Sequence, residues 1–142
     1  MPKEPTDPKL QDKLVWVVAK VNRQLEAGLS NRLKSRGLPI EQYWIMEALC
    51  ENGPTPISQL AETAHSGRPN ATKIIDKMVS AGLVFREPDA KDRRVINIVP
   101  TDEGRLLYEE TSDFSMEIER EFASKLKEDE LAHLKDLLQT IS

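Results

Sequence analysis

Apolar residues recur along the first third of the chain at steps of three and four: Leu14, Val18, Val21, Leu25, Leu29 and Leu33. Such steps place side chains on one face of a helix. The pattern predicts a helix from about Asp7 to Arg36, with Pro8 in a first turn that tolerates it and Gly37 as the stop. LPIEQYWIMEALCENG then predicts a shorter helix, opened by Pro39, given apolar surface by Tyr43, Met46, Ala48 and Leu49, and closed by Gly53. Thr55 followed by Pro56 reads as a helix cap with proline at the first helical position, ahead of a short stripe of Ile57, Leu60 and Ala61. AHSG interrupts that stripe. A new helix, capped by Ser66 or Gly67, carries Ile74, Ile75, Met78 and Val79 on its buried face and ends at Gly82. Two short helices joined by a tight turn form a helix-turn-helix pattern.

LVFREPD and RVINIVP follow, rich in β-branched residues, with Asp89 and Ala90 at the bend between them. They predict a β-hairpin whose Pro88 and Pro100 sit at strand ends or on an edge. Two strands are not stable alone, so the hairpin must lean on the helix before it. Thr101 caps the next helix, with Asp102 and Glu103 near its positive end. One helix is expected through Tyr108, Phe114, Ile118, Phe122 and Leu126. A break near Lys127–Glu128 then precedes a last helix with Leu131, Leu134, Leu137, Leu138 and Ile141. The fold class expected is mainly α with a small β-wing, a winged helix-turn-helix. Three parts follow: an N-terminal arm and dimerisation helix (1–36), a winged helix-turn-helix DNA-binding domain (37–100), and C-terminal dimerisation helices (101–142).

Composition narrows the function. The chain has 142 residues, 39% apolar and 31% charged, enough for one soluble domain with a real core. It has no apolar run of membrane-spanning length, and MPKEPTDPK lacks the apolar centre of a secretory signal, so that stretch is expected to be a frayed polar arm. Cys50 stands alone, which leaves no internal disulfide; a cytoplasmic location is the default expectation. No glycine-rich phosphate loop, nucleophile–base pair or metal-ligand spacing appears, and His65 and His133 are far apart. The chain is therefore not expected to be an enzyme, nor to carry a cofactor or metal.

Charge locates the chemistry. The net charge is −4, yet residues 66–100 carry a balance of +3 and residues 101–142 one of −7. A polyanion drawn to the middle would be repelled by the tail, so its binding would be oriented. In the middle segment, Arg68, Asn70, Thr72, Lys73 and Lys77 occupy the first turns of the second helix of the helix-turn-helix, the element that enters a DNA major groove. Arginine pairs with guanine and asparagine with adenine through two hydrogen bonds each; Thr72 and Lys73 suit phosphates. The bland alternative for any one of them is a solvated face. KDRR lies at the hairpin tip, where Arg93 and Arg94 could reach a minor groove and Asp92 could hold Arg94 in a fork. The bland alternative there is a surface ion pair worth about 0–1 kcal/mol.

DAKDRRVINIVPTDEG, with its Asp-x-Arg tip and Thr-x-x-Gly helix start, resembles the wing of the multiple antibiotic resistance regulator (MarR) family of transcription factors. LAETAHSGRPNATKIIDKMVSAGLVFR resembles that family's recognition unit and GLPIEQYWIMEAL its second helix. The resemblance spans roughly residues 10–140. It implies that Asp92 orients Arg94 into the minor groove, and that Arg68, Asn70, Thr72 and Lys73 begin the recognition helix. Two departures stand out: Pro100 replaces the usual leucine, and Tyr43 stands where tryptophan is common.

The same resemblance implies a homodimer built from the first and last helices, reading a pseudo-palindromic operator in double-stranded DNA. The amphipathic ends support this: Leu10 and Leu14, with Phe114, Ile118, Phe122, Leu131, Leu134, Leu138 and Ile141, would leave an apolar patch on a monomer. It also implies a repressor released by a small aromatic or lipophilic ligand, for which Trp16, Tyr43 and Met46 are the expected lining. The competing function is a winged helix used for protein contact, its basic tip docking an acidic partner without ligand control.

Overall fold

The computed structural model describes residues 8–63 and 68–142; the side chains of Arg68 and Pro69 fall outside that description, as do His65 and the expected cap at Ser66 or Gly67. A single 3-10 turn at Leu10–Asp12 leads into α1 (Leu14–Lys34), followed by α2 (Ile40–Asn52), β1 (Thr55–Pro56), α3 (Ile57–Thr63), α4 (Arg68–Ser80), β2 (Val84–Pro88), β3 (Ile96–Pro100), α5 (Asp102–Thr111), α6 (Phe114–Ala123) and α7 (Glu130–Ile141). This is a winged helix-turn-helix, mostly helical, with one small antiparallel sheet in the order β1-β3-β2.

Four details differ from the sequence expectation. The first helix starts at Leu14 rather than Asp7, because Lys13 is extended (φ −74°, ψ 136°) and neither Lys9 nor Lys13 supplies a side-chain cap. Thr55 and Pro56 form a strand rather than a helix start, pairing with Ile98 and Asn97. The hairpin's β3 edge would otherwise stand open, and Thr55–Pro56 covers it. The helix after Thr101 breaks at Ser112–Asp113, where the Thr111 hydroxyl donates to the carbonyls of Leu107 (2.9 Å) and Tyr108 (3.2 Å) and that of Ser112 to Glu109 (3.2 Å). Hydroxyls bonded back to carbonyls of the preceding turn bend helices. Finally, Ile118 joins the core and Phe114 and Phe122 pack against it, so these three do not belong to the exposed patch.

The core gathers around α2, whose Tyr43, Ile45, Met46 and Leu49 are all buried. A helix apolar on most sides belongs in an interior. Leu29 and Leu33 of α1, Leu60 of α3, Ile75 and Met78 of α4, Ile98 of β3 and Ile118 of α6 complete it. At the end of α4, Gly82 takes φ +75°, its N–H donating to Val79 O (3.0 Å) while Leu83 N–H donates to Met78 O (3.0 Å). This paired closure needs a left-handed residue, which glycine supplies without strain, and it turns the chain from α4 directly into β2.

Candidate nucleic-acid interface and effector groove

The period of α4 divides it cleanly. Ala71, Ile75 and Met78 are buried, while Asn70, Thr72, Lys73, Asp76, Lys77 and Ser80 are exposed. Four expected DNA contacts (Asn70, Thr72, Lys73 and Lys77) therefore share the outward side of one helix. The base-reading role expected of Arg68 falls on a side chain outside the described residues. Asp76, the one acidic residue of α4, sits within that outward side and forms an ion pair with Arg86 of β2.

The hairpin pairs Val84 with Pro100 through to Pro88 with Ile96, and both prolines stand at strand ends. Its tip is organised by two aspartates. Asp89 accepts the backbone N–H of Lys91 and of Asp92 (3.0 Å each) and the side-chain amide of Asn97 (2.9 Å). Asp92 in turn accepts from Arg94 three times: the backbone N–H (3.1 Å) and Nε (3.0 Å) on Oδ1, and a terminal guanidinium nitrogen (3.2 Å) on Oδ2. These bonds hold both carboxyls below the usual carboxylate range, through Asn97 first for Asp89 and the Arg94 side chain first for Asp92. Arg94 nevertheless keeps 92% of its side chain exposed. Arg93 is exposed beside it. Sequence reasoning placed Asp89 only at a bend; its Asx-turn chemistry, an aspartate two and three residues before free backbone donors, was the available signal.

The expected ligand residues are not brought together. Tyr43 and Met46 are wholly buried in the core. Trp16 lies half-buried in the first turn of α1, with Lys20 Nζ 5.3 Å from its ring centroid. A groove of about 470 Å³ instead opens between α1, α2, α6 and α7, and none of those three lines it. Its walls include Leu25, Trp44, Ile118, Phe122, Leu134 and Leu138. Because α2 is buried on most sides, Tyr43 packs inward and its neighbour Trp44 takes the groove side. The two rings meet edge to face at 5.3 Å, and the Tyr43 hydroxyl donates to Ser115 of the groove wall (3.3 Å). At the rim, Lys135 pairs with Glu119 (2.8 Å).

Cys50 is half-buried, and burial pushes its thiol up despite Arg105 nearby, which disfavours the reactive thiolate. Among the described residues no group of acidic, histidine or cysteine side chains could hold a metal, and no helix is long and apolar enough to cross a membrane.

Fold and sequence comparison agree on the class. The MarR family model matches residues 36–95, from just past α1 through the wing tip. The transcriptional regulator FarR of Neisseria gonorrhoeae is 32% identical over 110 residues, covering 78% of this chain and 75% of FarR. A probable transcriptional regulator of Pseudomonas aeruginosa superposes with a TM-score of 0.86 at 24% identity, covering 94% of this chain and all of the other. CouR of Rhodococcus jostii, solved with p-coumaroyl-CoA, gives a TM-score of 0.84 at 22% identity, with 94% of each chain covered. CouR is also solved on a 23-mer DNA duplex. The chain belongs to the MarR family of helix-turn-helix transcriptional regulators.

Proposed function

We propose that the protein is a homodimeric repressor that binds a pseudo-palindromic site in double-stranded DNA and is released by a small aromatic or lipophilic effector. The wing tip carries this reading. Asp92 fixes a guanidinium that stays almost fully exposed, so Arg94 is oriented without being used up by the fold. An arginine held in advance loses less entropy on entering a narrow minor groove. The outward side of α4 supplies the major-groove contacts through Asn70, Thr72, Lys73 and Lys77, with Arg68 at its start and Arg93 beside Arg94 on the backbone.

Dimerisation is supported by what the single chain leaves uncovered. No residue of α7 is buried, and Ile141 is 73% exposed. At the other end Leu14 and Val15 are 67% and 83% exposed. Large apolar side chains gathered on two terminal helices mark an interface, and a twofold pair is the commonest closure. Two copies of α4 then address half-sites about one helical turn apart.

The groove behind Trp44 is the effector site we assign. Its volume falls in the range of small-molecule sites, and its walls are apolar. CouR, of like fold, is solved with p-coumaroyl-CoA. Release requires that the effector prefer the form that fits DNA poorly, and the groove joins helices of the dimer region to α2 of the winged helix.

The test is the salt dependence of duplex binding. Phosphate contacts release counterions, so affinity falls steeply between low and physiological ionic strength. A protein-docking wing would leave duplex DNA unbound at either.

A further inference from the structure

The recognition helix carries a charge that works against its role. Asp76 is the one acidic residue of α4, and its neighbours on the helix surface are Lys73 one turn before and Lys77 next to it. Counting 100° per residue, Asp76 lies between Thr72 and Lys73 on the side opposite the buried Ala71, Ile75 and Met78. A bare carboxylate there would meet the phosphates that the lysines attract. Arg86 answers it from another element. It extends from β2, ten residues on, and its guanidinium hydrogen-bonds the Asp76 carboxylate. Arg86 occupies the sheet face that also carries Val84 and Ile98, the face packed on the core, so its direction is set by the register of the strand.

We propose that Arg86 is a positioning residue for DNA binding: it cancels the charge of Asp76 on the recognition face and ties the wing to α4. This rests on the DNA-binding reading above. The pair is exposed and contributes little to folding stability; its effect is felt in the field of the phosphates. Removing Arg86 leaves the Asp76 carboxylate on α4 without its compensating cation. Removing Asp76 does the reverse and frees a cation.

The test uses the full chain and sheared duplex DNA, with affinity measured at fixed salt and thermal melts alongside. Arg86→Ala is expected to bind about tenfold more weakly. Asp76→Asn is expected to bind as tightly as the parent or more so. The double variant, with the same total charge as the parent, is expected to return to within about threefold of it. Parent-like binding by Arg86→Ala, weakened binding by Asp76→Asn, or a double variant as weak as Arg86→Ala each overturns the proposal; the last makes Arg86 a direct phosphate contact. A parent chain that does not bind duplex DNA at all removes the DNA-binding reading itself, and this inference with it.

Discussion

The carboxylate of Asp92 is bonded to both the backbone N–H and the guanidinium of Arg94, so a single side chain fixes the arginine at its root and at its tip. Replacing Arg94 by Ala is expected to weaken binding to a preferred DNA sequence by about 1–3 kcal/mol. Asp92→Asn leaves the arginine in place and loses only its preorganisation, so its loss is expected to be smaller. Gel-shift titration of the two variants, each with an unchanged melting temperature, checks the order. Equal losses would mean that Asp92 does more than orient.

Gly104 meets Leu83 more closely than any other side chain permits. A Cβ at Gly104 would lie 2.2 Å from the Leu83 carbonyl oxygen and 3.0 Å from Met46 Cε. The Thr101 hydroxyl, donating to Gly82 O (2.6 Å) and accepting from Gly104 N–H (3.0 Å), holds the start of α5 in that position. Gly104→Ala is expected to destabilise by about 1–3 kcal/mol or more, since backbone must move. Gly28→Ala meets Ile118 Cδ1 at 2.7 Å, the far end of a flexible side chain, and is expected to cost less. Chemical denaturation of both variants gives the comparison.

The proposed dimer makes a prediction at residues that a lone chain would not notice. Val15→Glu and Ile141→Glu change side chains that are mostly exposed here, and substitutions at such sites are usually worth less than about 0.5 kcal/mol. In a twofold interface each places a carboxylate in apolar contact. Sedimentation is expected to show a shift from dimer to monomer, with DNA affinity lost in parallel. Parent-like mass for both variants would contradict the interface.

Glu47 gives a pH dependence of stability. Burial raises its carboxyl above the usual range, the nearby Glu51 adds to the rise, and the hydrogen bond from the Tyr108 hydroxyl (3.4 Å) opposes it. A carboxyl raised by folding binds its proton more tightly in the folded chain. Its contribution is therefore fully present below the unfolded value and is lost as pH rises through the folded one. Glu47→Gln is expected to flatten stability across that window and to stabilise at neutral pH by less than about 1 kcal/mol, the group being half-exposed. Melts at mildly acidic and neutral pH measure it.

Much of this was legible in sequence because the signals are local. The periods of α4, the capping threonine at 101, the stop at Gly82 and the Asp-x-Arg tip each involve residues a few positions apart. What was not legible depends on partners far along the chain. Nothing near Thr55 announces that β3, some forty residues later, will accept it as a strand. The pairing of Asp76 with Arg86 crosses from helix to sheet. Trp44 and Tyr43 differ by one position, and only the packing around α2 decides which of them faces the core and which the groove. The break before α6 is the intermediate case: Thr111 and Ser112 are visible in the sequence, but hydroxyls bend a helix only where they turn back onto it.

The most direct test is a footprint of the full chain on the DNA flanking its own gene, repeated with Arg94→Ala and with a panel of aromatic acids and thioesters. The account predicts a protected segment with two related halves about one helical turn apart, lost in the variant and released by at least one effector. Protection of a single half, protection that Arg94→Ala leaves intact, or no protection at low salt would contradict it.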